Sequence, residues 1–213
     1  IVEDRSGSLW LGTTLWGIYR FDSRQEIFKN YMHDLNDPSS LSSNRVISIF
    51  QDKSQNLWIG TYGGGLNRFN YRSGTFTHFT SKDGLAGNTV YGILEDDHRN
   101  IWLGTENGIS KFDPQSKIFR NYYSSDGLPS NQFSIAACKL GNGSMLFGTD
   151  KGLVRFHPDS IRDDSFVPPV VLTDFRIFNE SVPVSGVNMG SGHSFLHKSI
   201  SESDEINIYY GEN

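Results

Sequence analysis

Apolar and aromatic residues fall along the chain in short runs of about five, parted by clusters of Gly, Asn, Asp and Ser. Four runs are near copies: Leu9-Trp10-Leu11-Gly12-Thr13, Leu57-Trp58-Ile59-Gly60-Thr61, Ile101-Trp102-Leu103-Gly104-Thr105 and Met145-Leu146-Phe147-Gly148-Thr149, at intervals of 48, 44 and 44 residues. A second motif follows each: Gly17-Ile18-Tyr19-Arg20-Phe21, Gly65-Leu66-Asn67-Arg68-Phe69, Gly108-Ile109-Ser110-Lys111-Phe112 and Gly152-Leu153-Val154-Arg155-Phe156. A third closes the unit as Ile27-Phe28-Lys29-Asn30-Tyr31, Thr75-Phe76-Thr77-His78-Phe79 and Ile118-Phe119-Arg120-Asn121-Tyr122. A fourth precedes the tryptophan motif as Val46-Ile47-Ser48-Ile49-Phe50, Val90-Tyr91-Gly92-Ile93-Leu94 and Phe133-Ser134-Ile135-Ala136-Ala137. Helical spacing appears nowhere among them, and the β-branched and aromatic content predicts four strands per unit.

Four strands in roughly 40–50 residues is the period of a β-propeller blade, a small twisted sheet whose two faces are covered only when neighbours stack on it. That burial explains why the tryptophan strands are apolar beyond simple alternation, and it assigns Trp10, Trp58 and Trp102, which recur in register, to the core between blades. The expected fold is all-β: part of a propeller over residues 1–162, with repeats at about 1–43, 44–87, 88–130 and 131–160. The first and last repeats are incomplete, because residues 1–4 match only the end of an inner strand and the fourth copy stops at Phe156 before His157-Pro158. We read the chain as a piece of a larger propeller. From residue 163 the composition shifts: Val167-Pro168-Pro169 makes a stiff linker. Residues 170–178 and 205–210 read as the first strands of a truncated β-sandwich, parted by a Gly/Ser-rich loop at 185–194.

Composition narrows the function classes. With 36% hydrophobic and 20% charged residues the chain is no disordered polyelectrolyte. A net charge of −5 disfavours a nucleic-acid partner. The lone Cys138 leaves no internal disulfide and no multi-cysteine zinc site. No stretch approaches the length of a membrane span, so no membrane contact is expected in these residues.

Residues 44–69 and 88–112, with Asn44 and Asn88 ahead of the inner strands and a Trp-x-Gly-Thr strand after them, resemble the two-component regulator propeller repeat. Pro168 to Phe175, followed by Ile206-Asn207-Ile208-Tyr209-Tyr210, resembles the start of the Tyr-rich β-sandwich that follows such propellers. In this order the pair is similar to the periplasmic sensor region of bacterial hybrid two-component histidine kinases. The resemblance implies a non-catalytic sensing segment that binds an oligosaccharide, acts as a homodimer in the full-length protein and signals to a kinase outside these residues.

Blade geometry points to the same surface without that resemblance. Antiparallel order places the turns after the first and third strands on one face, and the loops after the second strand with the crossovers between blades on the other. The former have ordinary turn chemistry. The latter differ from blade to blade, as a binding surface requires. Aromatic faces stack on sugar C–H surfaces while amides, carboxylates and guanidinium groups pair with hydroxyls. Trp16, Tyr62, Glu106, Asn107, Asp150 and Lys151 have that mix, and Arg45, Asn88 and Asn131 sit where crossovers enter inner strands. Against this, Trp16 could pack between blades, and turn chemistry favours Asn88 and Asn131 as caps of the Asp83-Gly84-Leu85 and Asp126-Gly127-Leu128 crossovers.

No catalytic residue, cofactor or metal site is read from the chain. His193 and His197 have the spacing of a zinc pair but lack its glutamate and lie in the Gly/Ser-rich loop, and Asp34 to Pro38 reads as a turn. Two alternatives remain: a propeller-type lyase using His and Glu with a metal, disfavoured because the histidines fall on crossovers, outer strands and lower turns, and a protein-interaction scaffold.

Overall fold

The computed structural model describes residues 1–161, 174, 176–177 and 180–181. The chain divides into two compact units, Ile1–Arg162 and Asp163–Asn213. In the first, four antiparallel sheets follow one another. Sheet one holds β1 (Val2–Glu3), β2 (Ser8–Gly12), β3 (Ile18–Asp22) and β4 (Ile27–Tyr31). Sheet two holds β5 (Val46–Gln51), β6 (Leu57–Thr61), β7 (Leu66–Asn70) and β8 (Thr75–Phe79). Sheet three holds β9 (Val90–Glu95), β10 (Ile101–Thr105), β11 (Gly108–Asp113) and β12 (Ile118–Tyr122). Sheet four has three strands, β13 (Phe133–Lys139), β14 (Met145–Thr149) and β15 (Gly152–Phe156). Each sheet pairs its strands in chain order, and β1, β5, β9 and β13 are successive neighbours, as the innermost strands of propeller blades. In the second unit the described residues include the short pair β16 (Arg176–Ile177) and β17 (Glu180–Ser181). The proline linker, the strand expected at 205–210 and the His193/His197 pair lie outside the described residues.

Three short 3-10 turns, at Ser81–Asp83, Ser124–Asp126 and Pro158–Ser160, depart from the strand-only expectation. The first two share one cause: in each the aspartate side chain accepts the backbone N–H of the residue before the turn, at Thr80 and Tyr123, both at 2.8 Å. A left-handed glycine, Gly84 or Gly127, then releases the chain toward the next inner strand.

The core lies between sheets. Trp10, Trp58 and Trp102 are fully buried. Trp10 sits 4.8 Å from Phe69 of the next sheet, Trp58 5.8 Å from Phe112, and Trp102 4.9 Å from Phe156. One aspartate pins each indole: Trp10 Nε1 donates to Asp4 at 2.8 Å, Trp58 to Asp52 at 2.8 Å and Trp102 to Asp96 at 2.9 Å. The same carboxylates close the preceding turn, Asp52 accepting both the N–H and the side-chain amide of Asn56 at 2.8 Å. Burying an indole leaves its N–H in need of a partner, and six residues back along a hairpin is where a turn residue can supply one. The glycine of each tryptophan motif serves the same packing: a Cβ at Gly60 would lie 2.6 Å from the Val90 carbonyl of the next inner strand.

Candidate functional site

The loops after β2, β6, β10 and β14 are latched to the crossovers on the same face. Gly17 N–H donates to the Asn44 carbonyl at 2.9 Å, and Tyr62 N–H to that of Arg45 at 2.9 Å. Gly65 N–H donates to Asn88 and Gly108 N–H to Asn131, both at 2.6 Å, and Asp150 N–H to Gln132 at 3.2 Å. Inside each loop the threonine of the Trp-x-Gly-Thr motif bridges to the glycine that opens the third strand: Thr13, Thr61 and Thr105 hydroxyls donate to Gly17, Gly65 and Gly108 carbonyls at 2.9 Å, and Thr149 to Gly152 at 3.1 Å. The repeated threonines and glycines are consumed in holding the loops.

Trp16 is 61% exposed among the described residues. The Trp16 backbone N–H donates to Thr13 Oγ1 at 2.8 Å, which fixes the loop tip. Arg45 enters beside it, through the Gly17–Asn44 latch, and its guanidinium carbon lies 3.8 Å from the ring centre of Tyr62. Tyr62 is 44% exposed and Arg45 is also exposed, so the stacked pair presents an aromatic flank and a planar row of N–H donors to solvent.

The remaining candidates divide. Asn88 Oδ1 accepts the N–H of Ser81 at 2.8 Å and its Nδ2 donates to Ser81 Oγ at 3.2 Å, while Asn131 Oδ1 accepts the N–H of Ser124 at 2.6 Å. Asn44 does the same for His33 at 2.7 Å. All three cap their crossovers, and the equal spacing of Asn44, Asn88 and Asn131 ahead of the inner strands was the sequence signal for it. Glu106 is half-buried, its carboxylate accepting the Thr89 N–H, while Thr89 Oγ1 in turn accepts Gly63 N–H at 3.2 Å. Thr89 is the joint between loop and crossover that sequence reasoning missed; it stands where Arg45 stands one blade earlier. Asn107 is exposed and donates through Nδ2 to the Ala86 carbonyl at 3.3 Å. Asp150 and Lys151 are exposed at the fourth loop, Lys151 N–H donating to Thr149 Oγ1 at 3.3 Å.

The opposite face is a structural network. Burial opposes the charge on Asp4, yet hydrogen bonds from Ser6, Trp10 and Ser8 outweigh it and hold the carboxyl below its ordinary value. Tyr71 donates to Asp4 at 3.2 Å, and burial together with that neighbouring charge raises the phenol well above its usual value. Asp97 accepts from Lys139 at 2.7 Å and from Lys53 at 3.4 Å, joining three successive sheets, and the Lys139 hydrogen bond holds its carboxyl low. The described histidines make local bonds: His33 to the Leu41 carbonyl at 2.8 Å, His78 to Ser40 at 2.6 Å, His157 to Asn142 at 3.1 Å, and His98 to Asp159 at 3.0 Å. No cluster of three or more His, Cys, Asp or Glu among the described residues is arranged to hold a metal ion.

Residues 40–63 and 84–107 match the two-component regulator propeller family. Over 107 residues, half of this chain, it is 35% identical to histidine kinase P4 of Formosa agariphila, of which it spans 7%. The fold is similar to the extracellular domain of a putative hybrid two-component system from B. thetaiotaomicron, with a TM-score of 0.62 at 22% identity over 74% of this chain and 22% of that one. It is also similar to YCF48 from Cyanidioschyzon merolae, with a TM-score of 0.52 at 19% identity over 74% of this chain and 50% of that one. Two stretches of the chain thus match two-component regulator propeller repeats, and these likenesses establish the propeller fold.

Proposed function

We propose that the chain is part of the extracytoplasmic sensing region of a two-component histidine kinase, and that the face bearing Trp16 and the Arg45–Tyr62 stack binds an oligosaccharide. The observation that carries the reading is a contrast within one surface: the threonines and glycines that recur in the loops are engaged in the framework, while Trp16, Arg45 and Tyr62 stand exposed, Arg45 stacked on Tyr62 and its neighbour Asn44 bonded to the Trp16 loop at Gly17. An exposed indole and tyrosine ring cover the apolar face of a sugar, and the guanidinium edge pairs with its hydroxyl or acid oxygens. The match to a histidine kinase and to an extracellular domain supports the setting. In that setting the full polypeptide acts as a periplasmic homodimer, and a ligand moves it only by binding its two arrangements with different affinity. No described histidine is free of a local partner or grouped for metal chemistry, so the lyase reading draws no observation to itself.

The test is a thermal-shift screen against neutral and acidic oligosaccharides, followed by calorimetric titration of any that shift the transition. A saturable shift that Trp16→Ala and Tyr62→Ala each weaken by about tenfold, without lowering the unliganded transition, supports the reading. Saturable binding that neither substitution touches places the ligand elsewhere, and no shift with any glycan class removes the oligosaccharide from the proposal.

A further inference from the structure

Two positions on the loop-and-crossover face recur in place but not in kind. One follows the crossover asparagine and holds Arg45, Thr89 and Gln132; the other follows the motif threonine and holds Tyr62, Glu106 and Asp150. The fold joins the two in each sheet: Tyr62 N–H donates to the Arg45 carbonyl at 2.9 Å, Asp150 N–H donates to that of Gln132 at 3.2 Å, and in the third sheet the Glu106 carboxylate accepts the Thr89 N–H. Their backbone is thus held in common while their chemistry is left to vary.

Sheet three supplies its own anion at this joint. Thr89 is buried and Glu106 half-buried, and the fit around the carboxylate is close, since a Cβ on Gly87 would lie 2.8 Å from its carbon. Sheet two inverts the arrangement. Tyr62 stands in place of the glutamate and the cation Arg45 in place of the threonine, while the Arg45 N–H turns to Ser43 Oγ at 3.3 Å. The guanidinium carbon lies 3.8 Å from the Tyr62 ring centre, and no Asp or Glu among the described residues pairs with it; the ion pairs there draw on other cations, Lys53, Arg99, Lys139 and Arg176. Stacking occupies the flat face of the guanidinium and leaves its N–H edge to solvent. The space beside the stack is open as well, for a Cβ on Gly63 would meet nothing within 4 Å.

We propose that the sugar held by Trp16, Arg45 and Tyr62 is an acidic one, whose carboxylate or sulfate half-ester takes the Arg45 N–H edge while its ring lies on the aromatic side chains. The proposal rests on the oligosaccharide reading above and narrows it. Two oxygens of a carboxylate or sulfate match the guanidinium fork, whereas a neutral sugar offers single hydroxyls and leaves the cation without a counter-charge. The chain carries a net charge of −5, so no general field gathers anions, and the preference is local to this one cation.

The experiment titrates the chain calorimetrically with galacturonate, mannuronate and sulfated carrageenan tetrasaccharides, each beside its carboxyl-reduced or desulfated counterpart. At least one acidic member is expected to bind about tenfold or more tighter than its counterpart, and the pair that shows this distinguishes carboxylate from sulfate. Arg45→Gln should abolish that preference and Arg45→Lys keep part of it, without lowering the unliganded transition. Raising salt from about 0.05 to 0.5 M should shrink the preference in the parent chain. Equal binding within every pair, or a preference that Arg45→Gln leaves unchanged, overturns the proposal. If Trp16→Ala and Tyr62→Ala still weaken such equal binding, the oligosaccharide reading survives the loss of the acid; binding by no probe, acidic or neutral, removes both.

Discussion

The third and fourth sheets have the same first hairpin and different joints. The Asp96 N–H donates across its turn to the Asn100 carbonyl at 2.9 Å, and Leu140 N–H does the same to Ser144 at 2.8 Å. In the third sheet the turn residue also binds the buried Trp102 indole, whereas in the fourth both members are replaced together, by Leu140 and Leu146, each only half-buried. The fourth sheet has no outer strand among the described residues either. Aspartate and tryptophan therefore act as one device in the joint between blades. A hairpin keeps its shape without them because backbone hydrogen bonds and turn residues suffice for that, while the joint needs a large apolar surface and a partner for its single polar atom.

The contrast can be broken at its centre. Trp58→Ala is expected to cost about 3–5 kcal/mol in chemical denaturation, and Leu146→Ala under about 2 kcal/mol, because only the first empties a fully enclosed site. Equal losses would show that the fourth sheet is as tightly joined as the second. Removing the pin while keeping the ring is the next largest step: Asp52→Ala leaves the Trp58 N–H and the Asn56 turn unpartnered, for about 1–3 kcal/mol by the same measurement.

Acid sharpens the comparison. The Asp4 carboxyl is held below its ordinary value of 3.8, so its contribution is whole above that value and is lost as pH falls through the lower folded value. Melting temperature should therefore drop more steeply below about pH 4 in the parent chain than in Asp4→Asn, whose neutral-pH stability is lower from the start. Parallel acid limbs would count against the charged form of the pin.

The smallest effect lies in the turns between the third and fourth strands of the first three sheets. Glu26 and Lys117 adopt left-handed φ values of 55° and 60° at the position that Gly74 fills in the second sheet with 71°. Glu26→Gly and Lys117→Gly should each stabilise the chain by about 0.5–1 kcal/mol, read as a higher denaturation midpoint. A loss instead would mean that those side chains make contacts worth more than the strain.

Strand positions were legible because the two-faced burial of a blade writes itself into every copy: β4, β8 and β12 begin and end where their motifs do. The crossover turns were not, since a 3-10 turn of three residues leaves no periodicity, only the Asp-Gly pairs at 83–84 and 126–127. Of the candidate site, the face itself could be read from strand alternation. Turn chemistry already pointed to Asn88 as a cap, which its bond to Ser81 bears out, whereas the stacking of Arg45 on Tyr62 had no sequence signal and only coordinates show it.

The sequence alone determined the repeat, the order of strands within each sheet and the buried tryptophans, because each follows from local chemistry recurring at a fixed interval. Tertiary structure alone decided which polar groups are already paired and that Arg45 lies over Tyr62. Those depend on distances between residues far apart in the chain, and a one-dimensional pattern carries no such distances until the blades are stacked.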